Sequence, residues 1–271
     1  MKMFQVAKEN FLINKVSILL YSVLMALFFL WFGSIYDPEL FASLEEFYSE
    51  FPEVITSLVG GQLAINDYES FMNTYLFSFA WMYLGLYFIL KTSQDIPTEI
   101  EEKTIDIILS KPMSRWEFVL GKLLRHIMAM GVIIGLVMLV TFIAPFIFPL
   151  INPADVNYNA FLLSFGLLAL HLLSLSATGF IFSTYFGRRK ALALSFGALI
   201  FFYAVGNFYG LFPEFMSDIK YLSIFYYFDT FPLLVNASLD GFWVNILVLS
   251  IYSIVLIIAS VEIFQRRNIP V

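Results

Sequence analysis

The sequence predicts an all-α polytopic membrane protein with six transmembrane helices, and three observations carry that prediction. Hydrophobic residues make up 60% of the 271-residue chain and charged residues only 13%, with a mean hydropathy of +0.83. A soluble domain of this length could not cover so much apolar surface, so lipid has to be the solvent for much of it. Second, no Asp, Glu, Lys or Arg interrupts residues 16–36, 70–90, 127–154, 156–187, 191–213 or 241–261. A helix rising ~1.5 Å per residue needs about 20 residues to cross ~30 Å of hydrocarbon, and each stretch suffices. Third, 14 of the 15 Lys and Arg residues fall on one side of the resulting topology, Lys220 being the exception. The positive-inside rule then places both termini in the cytoplasm.

Taken in order, residues 1–271 form a single transmembrane domain. Its spans lie at about 16–36, 70–90, 127–150, 160–186, 191–213 and 241–261, with outer loops at 37–69 and 214–240. Residues 1–15 read equally as a short amphipathic surface helix, with Phe4, Ala7, Phe11 and Leu12 on one face, or as the first turns of a long span. The first span is too long for a signal-peptide core and lacks a small-residue cleavage site, so the N-terminus is expected to be retained. In the first outer loop, Leu40, Leu44 and Phe47 repeat at helical spacing and suggest a short helix over 39–50.

The inner segment 91–126 says most. Thr98-Glu99-Ile100-Glu101 and Ser114-Arg115-Trp116-Glu117 both have the form of a capping box, in which hydroxyl and carboxylate satisfy orphan amides reciprocally. Between them Lys111-Pro112 ends a helix, because proline disfavours helical geometry in the residue before it. A short helix of about three turns is expected over 99–110, with Ile100, Thr104, Ile107 and Ile108 on one face. The third span carries Pro145, Pro149 and Pro153 near its outer end and should kink or finish early. Gly131-x3-Gly135 and Gly206-x3-Gly210 are spacings that let helices approach closely. Segment 214–240, rich in Tyr and Phe, is either an interfacial aromatic belt or a re-entrant helical pair.

Several chemistries are excluded. With no cysteine there is no disulfide, thiolate metal site or Cys nucleophile. His171 is the only ionisable residue of the Lys, Arg, Asp, Glu and His set well inside a span, which makes it a candidate site. A neutral imidazole hydrogen-bonded to Ser174 or to another helix is the simpler expectation. His126 is read as interfacial. Asn73 and Asn207, with Ser78, are further polar candidates inside the apolar stretches. No HExxH pair or intramembrane carboxylate relay is present, and no GxxxxGK[ST] loop, so neither a metalloenzyme nor an ATP site is expected on this chain. Energy for uphill movement would have to come from another polypeptide. The acidic balance, with a pI near 4.9, follows topology: 13 of the 21 Asp and Glu residues lie in outer loops, eight of them between Asp37 and Glu69. No nucleic-acid partner is expected.

The run from Glu101 to Glu117, Glu-Glu-Lys-Thr-Ile-Asp-Ile-Ile-Leu-Ser-Lys-Pro-Met-Ser-Arg-Trp-Glu, followed by Gly121-Lys122-Leu123, resembles the signature of ABC-2-type transporter permeases. That pattern reads approximately E-E-x-G-T-h-[DE]-h-L-L-[SA]-x-P-[VI]-[ST]-R and then G-K, with Lys103 here standing where glycine is usual. Leu58-Val59-Gly60-Gly61 with Tyr68-Glu69-Ser70-Phe71, the turn Phe186-Gly187-Arg188-Arg189-Lys190-Ala191, Leu222 to Tyr227, and Phe264-Gln265-Arg266-Arg267-Asn268-Ile269 extend the resemblance in the same order. It implies the type V exporter architecture: six spans, a cytoplasmic coupling helix between spans 2 and 3, and a re-entrant helical pair between spans 5 and 6. It also implies two copies of an ABC ATPase subunit, which would bind ATP with Mg, and a second permease copy or paralogue. This chain would bind no cofactor or metal and be no enzyme itself. The resemblance places it in the plasma membrane of a prokaryote. Glu99, Glu101, Glu102, Lys103, Thr104, Asp106 and Pro112 become the expected ATPase-coupling interface. Spans rich in Phe, Tyr and Met suit an amphipathic or hydrophobic cargo, while the resemblance itself names none. The alternative is a non-transporting assembly that passes ATP-driven motion to an extracytoplasmic partner through the acidic loop 37–69.

Overall fold

The computed structural model describes residues 2–41, 43, 67–105 and 113–267. Among these residues six helices are long and apolar enough to cross a membrane: α1 Lys2–Ile35, α2 Tyr68–Glu101, α3 Arg115–Ile147, α4 Tyr158–Tyr185, α5 Arg188–Asn207 and α6 Phe242–Arg266. Among the described residues there is no strand. The all-α polytopic expectation holds. Between α5 and α6 lie 3₁₀ turns at Tyr209–Leu211 and Glu214–Leu222 and a one-turn helix at Phe231–Leu234.

Each boundary has a local cause. Residues 1–15 prove to be the start of the first span: α1 is unbroken from Lys2 and buries Ala7 against α3, where a Cβ on Gly121 would come within 2.8 Å of Val6. Asp37 accepts hydrogen bonds from Glu39 N–H (3.0 Å) and Leu40 N–H (3.2 Å) and so opens a helical turn after α1. The rest of the expected 39–50 helix lies outside the described residues. Asp67 caps α2 by accepting from Ser70 N–H at 2.7 Å. At the start of α3 the expected box is present: Glu117 accepts from Ser114 N–H at 3.0 Å and from its hydroxyl at 2.9 Å. α3 carries Pro145 within it and finishes at Ile147, before Pro149.

The first box behaves differently. Thr98 is not a helix start; α2 continues through Pro97 to Glu101, and Lys103 adopts φ 56° just beyond it. A left-handed residue of this kind terminates a helix, so residues 99–101 belong to the last turn of α2. The positions from Asp106 to Pro112, and with them the second part of the expected coupling helix 99–110, lie outside the described residues.

α1 packs along α3, while α4 packs against α2, α5 and α6. α4 is the interior helix, with 67% of its apolar window buried against 17% for α6. Polar pairs fasten it: Ser174 Oγ stands 2.9 Å from Ser253 Oγ, and Thr178 Oγ1 2.9 Å from Tyr252 OH. Hydroxyl pairs between helices suit a lipid solvent, where polar atoms find no water. α2 carries two π-helical turns, Asn73–Phe77 and Trp81–Gly85. A π turn disturbs the regular carbonyl ladder, and hydroxyls fill in: Ser78 donates to Asn73 O (2.9 Å), Tyr83 to Leu76 O, and Tyr21 of α1 to Tyr83 O.

Candidate functional site

The two ends of the bundle differ in chemistry. At the basic end, α2 is tied to α3 by ion pairs taken out of bulk water. Asp95 Oδ1 accepts from Arg125 Nη2 at 2.8 Å, and its Oδ2 lies 3.0 Å from His126 Nε2. One turn on, Glu99 pairs with Lys122, whose Nζ also donates to Asn10 Oδ1 of α1 at 2.8 Å. Lys122 is 2% exposed and Arg125 8%, so these cations depend on Glu99 and Asp95 for compensation. His126 Nε2 also sits 2.6 Å from Arg125 Nη2. That nitrogen can accept from the guanidinium or donate to Asp95, but not both at once.

Three helices therefore meet at the end of α2, and a fourth joins them. Glu101 Oε1 accepts from the Arg188 N–H at the start of α5 (3.3 Å), and Arg188 Nε donates to Gln94 Oε1 (3.3 Å). α5 has no capping side chain of its own, because Gly187 precedes it; the carboxylate from α2 supplies the missing acceptor. A cavity of about 570 Å³ opens here, lined by Asn14, Lys91, Asp95, Lys122, Arg125 and Arg188 among others. A second, of about 690 Å³, lies between the start of α1 and Glu99, Glu102, Thr104 and Met113.

At the opposite end a cavity of about 140 Å³ is lined by Asn73, Ser78, Asn207, Tyr209, Asp229 and Thr230 among others. Thr230 donates to Asn73 Oδ1 at 2.6 Å, which ties segment 223–231 to the first π turn of α2. That segment enters the bundle: Ser223, Ile224 and Phe225 are buried, and Ser223 Oγ donates to Phe202 O at 2.5 Å. Gly206 makes room, since a Cβ there would lie 2.6 Å from Ser223 Oγ.

A sequence model described as that of an ABC-2 family transporter protein matches residues 9–269. The chain belongs to the ABC-2 family. No curated protein matches it. This ABC-2 chain is thus a multi-pass permease subunit of an ABC transporter, and membership implies pairing with an ABC ATPase.

Of the expected coupling residues, Glu99 faces inward to Lys122 and Glu101 serves α5, while Thr104 donates from its N–H to Glu99 O at 3.0 Å. Glu102 and Lys103 are exposed, and their side chains form no hydrogen bond or ion pair with other described residues. Asp106 and Pro112 lie outside the described residues. Asn73 and Asn207 do share the outer cavity of this ABC-2 permease. His171 does not: it stacks on Phe228 (ring centroids 4.5 Å apart) and meets Phe225 edge-on (4.7 Å), behind the cavity wall. Its expected partner, Ser174, is spent on Leu170 O and Ser253. Both imidazole nitrogens lie fully buried without a well-formed hydrogen bond, with the Ile224 backbone beside the ring.

Sequence reasoning missed the basic-end cluster, reading His126 as interfacial and finding no buried carboxylate. The signal was available: Lys91, Asp95 and Glu99 fall at i, i+4 and i+8, and Lys122 with Arg125 and His126 at i, i+3 and i+4. Each set is a one-faced charged stripe just beyond a charge-free stretch.

Proposed function

We propose that this permease couples to its ATPase through the end of α2, with Glu102 and Lys103 the contacts nearest the bundle and Asp106 to Pro112 completing the interface. One observation carries the reading: the last two turns of α2 are fastened to α1, α3 and α5 through Asn10, Lys122, Arg125 and Arg188. A push on residues 102–112 therefore reaches four helices together and does not dissipate in one. Two permeases, identical or paralogous, and two ATPase subunits binding ATP with Mg form the working unit. The termini and the basic end face the cytoplasm of a prokaryotic cell, and cargo moves outward. Spans rich in Phe, Tyr and Met suit an amphipathic or hydrophobic cargo.

The internal duties of Glu99 and Glu101 decide how this is tested. Reversing them would disturb the bundle itself, whereas Glu102 has no internal partner. The variant Glu102→Lys, Asp106→Lys is expected to leave the permease folded while reducing co-purified ATPase several-fold. Full retention of the ATPase by that variant overturns the docking assignment. The second reading, an assembly that drives an outer partner, is favoured by the eight acidic residues between Asp37 and Glu69. In that case an added extracytoplasmic protein would stimulate ATPase activity with no cargo present.

A further inference from the structure

The basic-end cavity of about 570 Å³, a wedge between α1, α2 and α5, has a chemistry that ATPase docking does not use. We propose that it binds the phosphate headgroup of an anionic phospholipid. Its walls are the Asn10, Asn14 and Ser17 face of α1, the Lys91 and Gln94 face of α2, and Arg188 at the start of α5. Two of its carboxylates are already neutralised, Asp95 by Arg125 and Glu99 by Lys122. That leaves the Lys91 ammonium and the Arg188 guanidinium with no ion pair among the described residues, Glu101 being bonded to the Arg188 backbone N–H, against Glu102 alone at the mouth. The buried Arg125 contributes an Nε–H with no acceptor. At the start of α5 only Arg188 lines the wedge, and that helix has no acidic residue in its first turn. Cations there oppose the positive end of the helix dipole, and an anion relieves both.

The position favours a lipid over a free anion. The wedge lies where the charge-free stretches of α1, α2 and α3 end, at the depth of a headgroup layer. Towards the membrane centre it is closed by Tyr21 stacked on Tyr87, ring centroids 4.0 Å apart. Beside it α1 presents the exposed apolar Ile13, Val16 and Leu20, along which an acyl chain can lie. Interhelical basic pockets at this depth are the kind that hold anionic headgroups.

The test is lipid retention by the full chain in mild detergent, read by native mass spectrometry after exposure to phosphatidylglycerol or to phosphatidylcholine of the same acyl chains. Wild type is expected to keep phosphatidylglycerol preferentially. Lys91→Gln, Arg188→Gln should reduce that retention roughly tenfold or more, and Arg189→Gln, Lys190→Gln, whose side chains do not line the wedge, should leave it unchanged. Lys91→Gln alone, at an exposed position, should show a smaller loss at an unaltered thermal midpoint. Equal retention of both lipids, or equal loss in both double variants, overturns the proposal. Displacement of the lipid by inorganic phosphate alone also overturns it, in favour of a free-anion site. None of these outcomes depends on whether an ATPase docks at residues 102–112.

Discussion

His171 and Lys122 are two buried basic side chains in opposite circumstances. The imidazole rests on aromatic rings with neither nitrogen hydrogen-bonded, so its polar atoms cost stability and return none. His171→Phe is expected to leave unfolding free energy in detergent unchanged or raise it by about 1 kcal/mol; a loss above about 2 kcal/mol would reveal a hydrogen-bond partner. Lys122 by contrast lies between Glu99 and Asn10. Lys122→Met leaves the half-buried Glu99 without its cation and should cost about 3 kcal/mol, whereas Glu99→Gln, Lys122→Met together should recover most of that loss. A double-mutant cycle in the same detergent measures it, and additive losses would show that the two side chains do not compensate each other. At this scale the sequence was half legible. Asn73 and Asn207 stood out because a polar residue inside an apolar stretch is conspicuous. Asp95 and Glu99 did not, because carboxylates beyond such a stretch read as solvated, and their partners lie on another helix 23 to 31 residues away.

Helix contacts turn on where a small residue meets backbone, and spacing alone does not tell which face that is. Gly131-x3-Gly135 has the spacing for close approach, yet a Cβ at either position would meet nothing within 4 Å in this chain. The tight contact is Gly179 on α4, where a Cβ would stand 2.4 Å from Ile89 O and 2.5 Å from Thr92 Oγ1 of α2. A helix carbonyl cannot move aside, so Gly179→Ala should destabilise by about 2–3 kcal/mol or force α2 and α4 apart. Gly131→Ala should be neutral in the isolated chain. Denaturation of both variants in one detergent checks the contrast, and equal stability would remove the α2–α4 contact from the account. The six spans were readable because charge-free length is a property of the sequence alone. The end of α2 was not: Thr98-x-x-Glu101 fits a capping box, but the apolar face of α2 runs on to the buried Ile96 and the helix simply continues. The π turns left no signal either, because they depend on Tyr21 and Tyr83 reaching carbonyls across the fold.

The whole molecule separates its charges by end, and the tertiary contacts agree with that separation. Asn10 with Lys122, Arg188 with Glu101, and Arg115 with the Arg267 carbonyl (2.6 Å) bring the start of α1, both inner connections and the end of α6 to one end. Asn157 N–H with Glu69 (2.5 Å) and Thr230 with Asn73 join the other. Because basic residues crowd the first end, the positive-inside rule predicts that it faces the cytoplasm. The chain contains no cysteine, so single-cysteine labelling has no background. Ala154, exposed between α3 and α4, and Arg189, exposed at the start of α5, lie at opposite ends and outside the ion pairs described above. A membrane-impermeant maleimide applied to intact cells should label Ala154→Cys and not Arg189→Cys, with Arg189→Cys reacting only after permeabilisation. The reverse pattern would invert the molecule. The ATPase would then have to reach the acidic end, and the coupling proposed for Glu102 and Lys103 would fail with the topology.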